Sequence, residues 1–175
     1  MEDCLDLAKA QGCEVAILWT DLHDFYRKMG FVLAGSEVMV EFGKLVPTKA
    51  EPLKFLKSNK VDPAALYKLY NTHTVTTVRT LDEFRKYLDI PSSQIYTAWD
   101  QFGNIQAFAV EGKGADLQGY IHEWAGGVSK LLPLFNHILD DRNGNSFRII
   151  VPGHCEGLIR ALTEAPCEIH RGYLG

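Results

Sequence analysis

Apolar positions along this chain switch between a helical period and near-continuous runs, and each switch marks the border of a predicted element. Residues 3 to 11 place Cys4, Leu5, Leu7 and Ala8 on one helical side, with acidic residues in the first turn and Gly12 as a stop. Cys13 to Trp19 is almost unbroken apolar sequence, which predicts a strand covered on both faces. Thr20 or Asp21 can then cap a helix over 22 to 29, whose core side would be Leu22, Phe25 and Met29. Residues 31 to 42 are strand-like again, and Gly35 marks a bulge or bend.

The pattern breaks over 43 to 62, where Pro47 and Pro52 interrupt any long element, and we read this stretch as a linker. Its lysines, 44, 49, 54, 57 and 60, fit either a basic arm for an acidic ligand or a solvated connector. Asp62-Pro63 starts a helix over 63 to 70, and 81 to 88 forms another, ended by Pro91. Strands are predicted at 94 to 99, 105 to 111 and 118 to 124, with Gly-containing turns between them, which makes an antiparallel meander. After Gly126-Gly127 the order is helix (128 to 140), strand (147 to 151), helix (155 to 164) and strand (167 to 173).

That closing order repeats the opening one. Laying Ile17 on Ile150 also lays Phe25 on Leu158, Arg27 on Arg160 and Met29 on Leu162, so core positions agree in type. Tyr26 falls on Ile159. The predicted organisation is therefore a half-unit over 1 to 42, a linker over 43 to 62 and a full unit over 63 to 175, within an α/β (α+β) fold built on a mixed, largely antiparallel sheet flanked by helices.

Composition narrows the function classes. The 175 residues are 46% hydrophobic and 23% charged, with a formal net charge of -4, as in ordinary globular chains and unlike a nucleic-acid binder with its concentrated basic excess. No run approaches a membrane span, and no basic start precedes an apolar run as in a secretion signal. Cysteines 4, 13, 155 and 167 have neither zinc-ligand nor framework spacing, so a reducing cytoplasm is the simplest setting. His122-Glu123 lacks the second histidine of a helical zinc motif, and no metal site is expected. Cys155 has Glu156 beside it and no marked orienting partner, which argues against a cysteine hydrolase.

The run Leu18-Trp19-Thr20-Asp21-Leu22-His23-Asp24-Phe25-Tyr26-Arg27-Lys28-Met29-Gly30-Phe31 is strand end, helix with a tyrosine, glycine stop and new strand. It resembles the coenzyme-side end of the GNAT N-acetyltransferase superfamily, and the order of elements over 63 to 175 is similar to the whole of that acyl-CoA N-acyltransferase fold. The resemblance implies transfer of an acetyl group from acetyl-CoA to a small-molecule or peptide amine. It makes Tyr26 the acid for the departing thiolate, with His23 on the same helix face and Trp19 and Thr20 at the adjoining strand end.

In the same resemblance Glu123 stands where members carry a base, and Gly126, Gly127, Val128 and Ser129 stand where a phosphate loop precedes a helix. The arginine or glutamine of that loop is missing here, and the glycine spacing differs. Strict alternation would put Glu123 with Ile121 on one face and His122 with Trp124 on the other. The motif around Tyr26 comes early for this family, so the chain reads as the end of one unit followed by a second, degenerate one. An open sheet edge at 13 to 19 and 31 to 42 is then expected to recruit a second copy. The rival expectation is a non-catalytic binding or scaffold module that keeps the fold.

Overall fold

A computed structural model describes residues 2–18, 20–49 and 51–174. Its centre is one seven-stranded mixed sheet. In chain order the elements are α1 (Glu2–Ala10), α2 (His23–Arg27), β1 (Ala34–Phe42), β2 (Lys54–Lys57), α3 (Pro63–Tyr70), α4 (Leu81–Leu88), β3 (Gln94–Trp99), β4 (Ile105–Lys113), β5 (Asp116–Gly126), α5 (Val128–Asp141), β6 (Phe147–Pro152), α6 (Glu156–Thr163) and β7 (Glu168–Leu174). The strands lie in the order β2-β3-β4-β5-β6-β1-β7.

Local chemistry sets the elements after residue 60. Asp62 accepts a hydrogen bond from the Ala64 amide at 3.0 Å ahead of Pro63, whose missing N–H costs nothing at a first helical position. Thr80 and Glu83 cap each other's backbone amides at the start of α4. Along β4, Phe108 and Val110 face α3 and α4 while Ala107 and Ala109 face α5 and α6, so the sheet is buried on both sides. The small side chains of Ala107 and Ala109 leave room for Leu131, Leu134, Phe135 and Ile138 of α5, all of them fully buried.

The N-terminal part departs from the pattern-based expectation. Residues 13–18 form no strand, and the predicted helix over 22 to 29 shortens to five residues. Leu22 and Phe25, expected in a core, are 59% and 56% exposed, and α1 has no buried residue. An apolar run specifies a buried strand only where a neighbouring strand supplies the ladder, and among the described residues none does.

Two further expectations are corrected. The stretch read as a linker contains β2, an edge strand paired antiparallel with β3 from Lys54↔Trp99 to Lys57↔Tyr96. The edge expected at 31 to 42 is closed on both sides, because β1 pairs antiparallel with β6 (Val40↔Ile149) and with β7 (Val40↔Ile169). Among the described residues the outer strands are β2 and β7, and these are the edges open to strand addition by a second copy. Among the described residues no helix is long and apolar enough to cross a membrane.

Candidate functional site

The site residues predicted from sequence fall in three places. The first is an apolar groove of about 720 Å³ beside the start of β1, lined by Thr20, His23, Tyr26, Met29 and Phe31 among others. Thr20 Oγ1 accepts from the Leu22 amide at 2.9 Å and turns the chain into α2. The Tyr26 ring meets Phe25 and Phe31 edge-on, with centroids 5.1 and 5.8 Å away, and is half-buried. Thr20, His23 and Tyr26 are thus brought together, while Trp19 lies outside the described residues.

The second place is a wedge between β5 and β6. These strands run parallel, but their ladder holds only Tyr120↔Arg148 and Ile121↔Ile149. Past it, the Trp124 indole Nε1 donates to the Ile150 carbonyl at 3.0 Å, which bridges the two strands by a side chain. A cavity of about 310 Å³ at this end is lined by His73, Trp124, Gly126, Val128, His154 and Cys155, with others. Gly127 and Ser129, grouped with them from sequence, are exposed and absent from this lining. Burial pushes the Cys155 thiol up, so no thiolate nucleophile is prepared there.

Helix α5 begins at this wedge with Gly127 as its N-cap, and no side chain caps it. Its first amides therefore remain able to receive an anion. In the same turn the Lys130 side chain is paired with Glu51.

The third place is Glu123, which lines neither cavity. Register shifts between Val110↔Glu123 and Glu111↔Ile121 put an extra residue, His122, into β5. The bulge overturns the alternation expected from sequence: Ile121 and Trp124 both join the core under α5 and α6, whereas His122 and Glu123 both turn to the opposite face. There Arg79 Nη1 donates to Glu123 Oε2 at 2.7 Å, and His122 Nε2 is 2.8 Å from the Gly112 carbonyl. Burial pushes the Glu123 carboxyl up against the opposing pull of Arg79. Burial works to lower the Arg79 guanidinium, but Glu123 together with Tyr70 and Tyr87 outweighs it and the net shift is upward. Because an arginine does not give up its proton, the pair is read as charged.

Arg79, Tyr70, Tyr87 and His73 were missed from sequence, since ring stacking between α3, α4 and their connecting loop has no local signature. Among the described residues no cluster of three or more ligating side chains could hold a metal ion.

No protein-family model matches the sequence, and no curated protein matches it. Solved structures do. A GCN5-related N-acetyltransferase from Anabaena variabilis superposes with a TM-score of 0.62 at 16% identity, over 98% of this chain and 47% of that one. A probable N-acyltransferase from Enterococcus faecalis matches with a TM-score of 0.61 at 16% identity, over 99% and 47% of the two chains. A GCN5-related N-acetyltransferase from Kribbella flavida gives 0.64 at 15% identity, over 99% and 45%. The protein has the GNAT, acyl-CoA N-acyltransferase-like fold. It spans just under half the length of these structures.

Proposed function

We propose that this chain is a GNAT-type N-acetyltransferase unit that takes acetyl-CoA as co-substrate, with Tyr26 as the proton donor and an amine, small-molecule or peptide, as acceptor. One observation carries the reading: a half-buried phenol, with Thr20 and His23, lines an apolar groove at the end of the sheet where β5 and β6 lose their ladder. The β1–β6 pairing runs Glu37↔Pro152 to Phe42↔Phe147, so the start of β1 and the C-terminal end of β6 lie together.

The residues fit the acyl arm better than the phosphates. The groove has the apolar lining and the few polar atoms that such an arm needs, whereas the cation in the first turn of α5, Lys130, is already paired with Glu51. Bound acetyl-CoA would supply the activated thioester. The chain's own part is to shelter that thioester among apolar side chains and to hold the Tyr26 proton where negative charge leaves on sulfur.

If so, acetyl-CoA raises the melting temperature by several degrees in a saturable way, because it binds only the native state. Tyr26→Phe is expected to keep that rise and to lower amine acetylation by about 100-fold, the scale of a lost general acid. Unchanged turnover rejects Tyr26 as the acid. A second reading, a binding or scaffold module without chemistry, is favoured by Trp124 bridging the wedge and by Glu123 being held on Arg79. Absence of any acetyl-CoA-dependent shift would select it.

A further inference from the structure

Arg79 sits in the loop between α3 and α4, and its guanidinium carbon lies 5.0 Å from the Tyr70 ring centroid and 4.3 Å from that of Tyr87. Two aromatic faces and a carboxylate around one planar cation are the elements of a cation receptor. The side chains of Arg79 and Glu123 keep 17% and 11% exposure, so the cluster is reached from solvent. The backbone carbonyl of Arg79 accepts from the Tyr67 hydroxyl, and that of Thr77 accepts from the Tyr70 hydroxyl at 2.9 Å. The loop is thus pinned independently of the guanidinium.

We propose that Glu123, Tyr70 and Tyr87 form a binding site for a guanidinium group, and that the chain fills it with its own Arg79. The recorded contact between the charges is a single hydrogen bond, Nη1 to Oε2. A guanidinium free of the loop's tether can meet both carboxylate oxygens side by side, the geometry that a planar fork and a carboxylate favour. The site is therefore better suited to a ligand's guanidinium than to the tethered one, which holds the place by proximity. Tyr87 faces a second cation of the chain as well, the Lys113 ammonium 4.9 Å from its ring centroid, so this ring sits in a cation-holding setting. This inference does not depend on acetyl transfer and involves no coenzyme.

The test is occupancy by methylguanidinium after Arg79 is shortened. In Arg79→Ala the melting temperature is expected to fall, and about 20 mM methylguanidinium, far below denaturing levels, is expected to restore about 4 °C of it. The wild type, already filled, gains nothing at that concentration, and the double variant Arg79→Ala/Glu123→Gln gains less than half as much. Equal responses in all three proteins, or none in any, overturn the proposal. Arg79→Met, which keeps the stem between the rings, is titrated in the same way if the alanine variant does not fold. Should neither fold, the guanidinium is a structural strut and the proposal fails.

Discussion

Gly126→Ala is expected to destabilise the protein by about 3 to 5 kcal/mol, the range in which backbone strain and core overpacking combine. Gly126 holds a φ of +130°, where an L side chain is strained, and it pairs across the ladder with Ala107. A Cβ at 126 would come within 2.6 Å of the Gln106 carbonyl oxygen and 2.8 Å of the Ala107 Cα. These are main-chain atoms of an interior strand, so relief requires β4 and β5 to part at the joint that starts α5. The neighbouring glycine supplies the control. Gly127 has an ordinary extended conformation and open space where a Cβ would go, so Gly127→Ala should change stability by no more than about 0.5 kcal/mol. Urea midpoints for the two variants check both statements, and a similar loss at both positions would contradict the geometry.

Arg142→Ala is expected to be the most damaging change at a charged residue, costing about 3 kcal/mol. Glu111 on β4 is buried at 8% exposure, and Arg142, just after α5, pairs with it. The Tyr96 hydroxyl donates to Asp141 Oδ2 at 3.2 Å and stands 3.4 Å from Glu111 Oε2, while Lys57 pairs with Asp141 at 2.8 Å. Burial is the main cause pushing the Tyr96 phenol up to about 12, so it stays neutral and its single proton is shared between the two carboxylates. With the guanidinium gone, Glu111 keeps only that weak contact inside the sheet's flank. Adding Glu111→Gln to the arginine variant should recover more than half of the loss, because the neutral amide costs less to bury. Chemical denaturation of the two variants measures this, and no recovery would mean that Arg142 acts through packing alone.

The second two-thirds of the fold could be read from sequence because its signals are local. Asp62-Pro63, the glycine turns of the meander and the helical stripes of α5 and α6 each lie within a few residues of what they specify. Near the start, the helix over 3 to 11 was legible, but the strand expected after it misled because a run such as Val15-Ala16-Ile17-Leu18 states only that burial would be favourable. Whether a strand forms depends on a partner elsewhere, and Val15 and Ile17 are 74% and 70% exposed. Pairing between distant segments was equally hidden. Nothing in Lys54-Phe55-Leu56-Lys57 names Tyr96 to Trp99 as its mate.

The candidate site divides along the same line. Thr20, His23 and Tyr26 sit within one turn of helix and its approach, so their convergence was legible. Glu123 was assigned to the wrong face because a single inserted residue, His122, reverses the alternation beyond it. Its companion Arg79 comes from a loop with no periodic pattern, and only three-dimensional packing delivers it to the carboxylate.

The placement of β1 between β6 and β7 has a consequence for how the molecule is made. Synthesis delivers that strand before the meander and both of its neighbours after it, so the sheet closes around a segment that has waited while residues 43 to 146 were made. The meander of β3, β4 and β5 can assemble from near neighbours in the meantime, as a platform with one side unfinished. The late docking of an early strand is then the step most open to interruption, and a nascent chain stalled before residue 147 would still present Val38, Val40 and Phe42 to whatever chaperone or chain end meets them first.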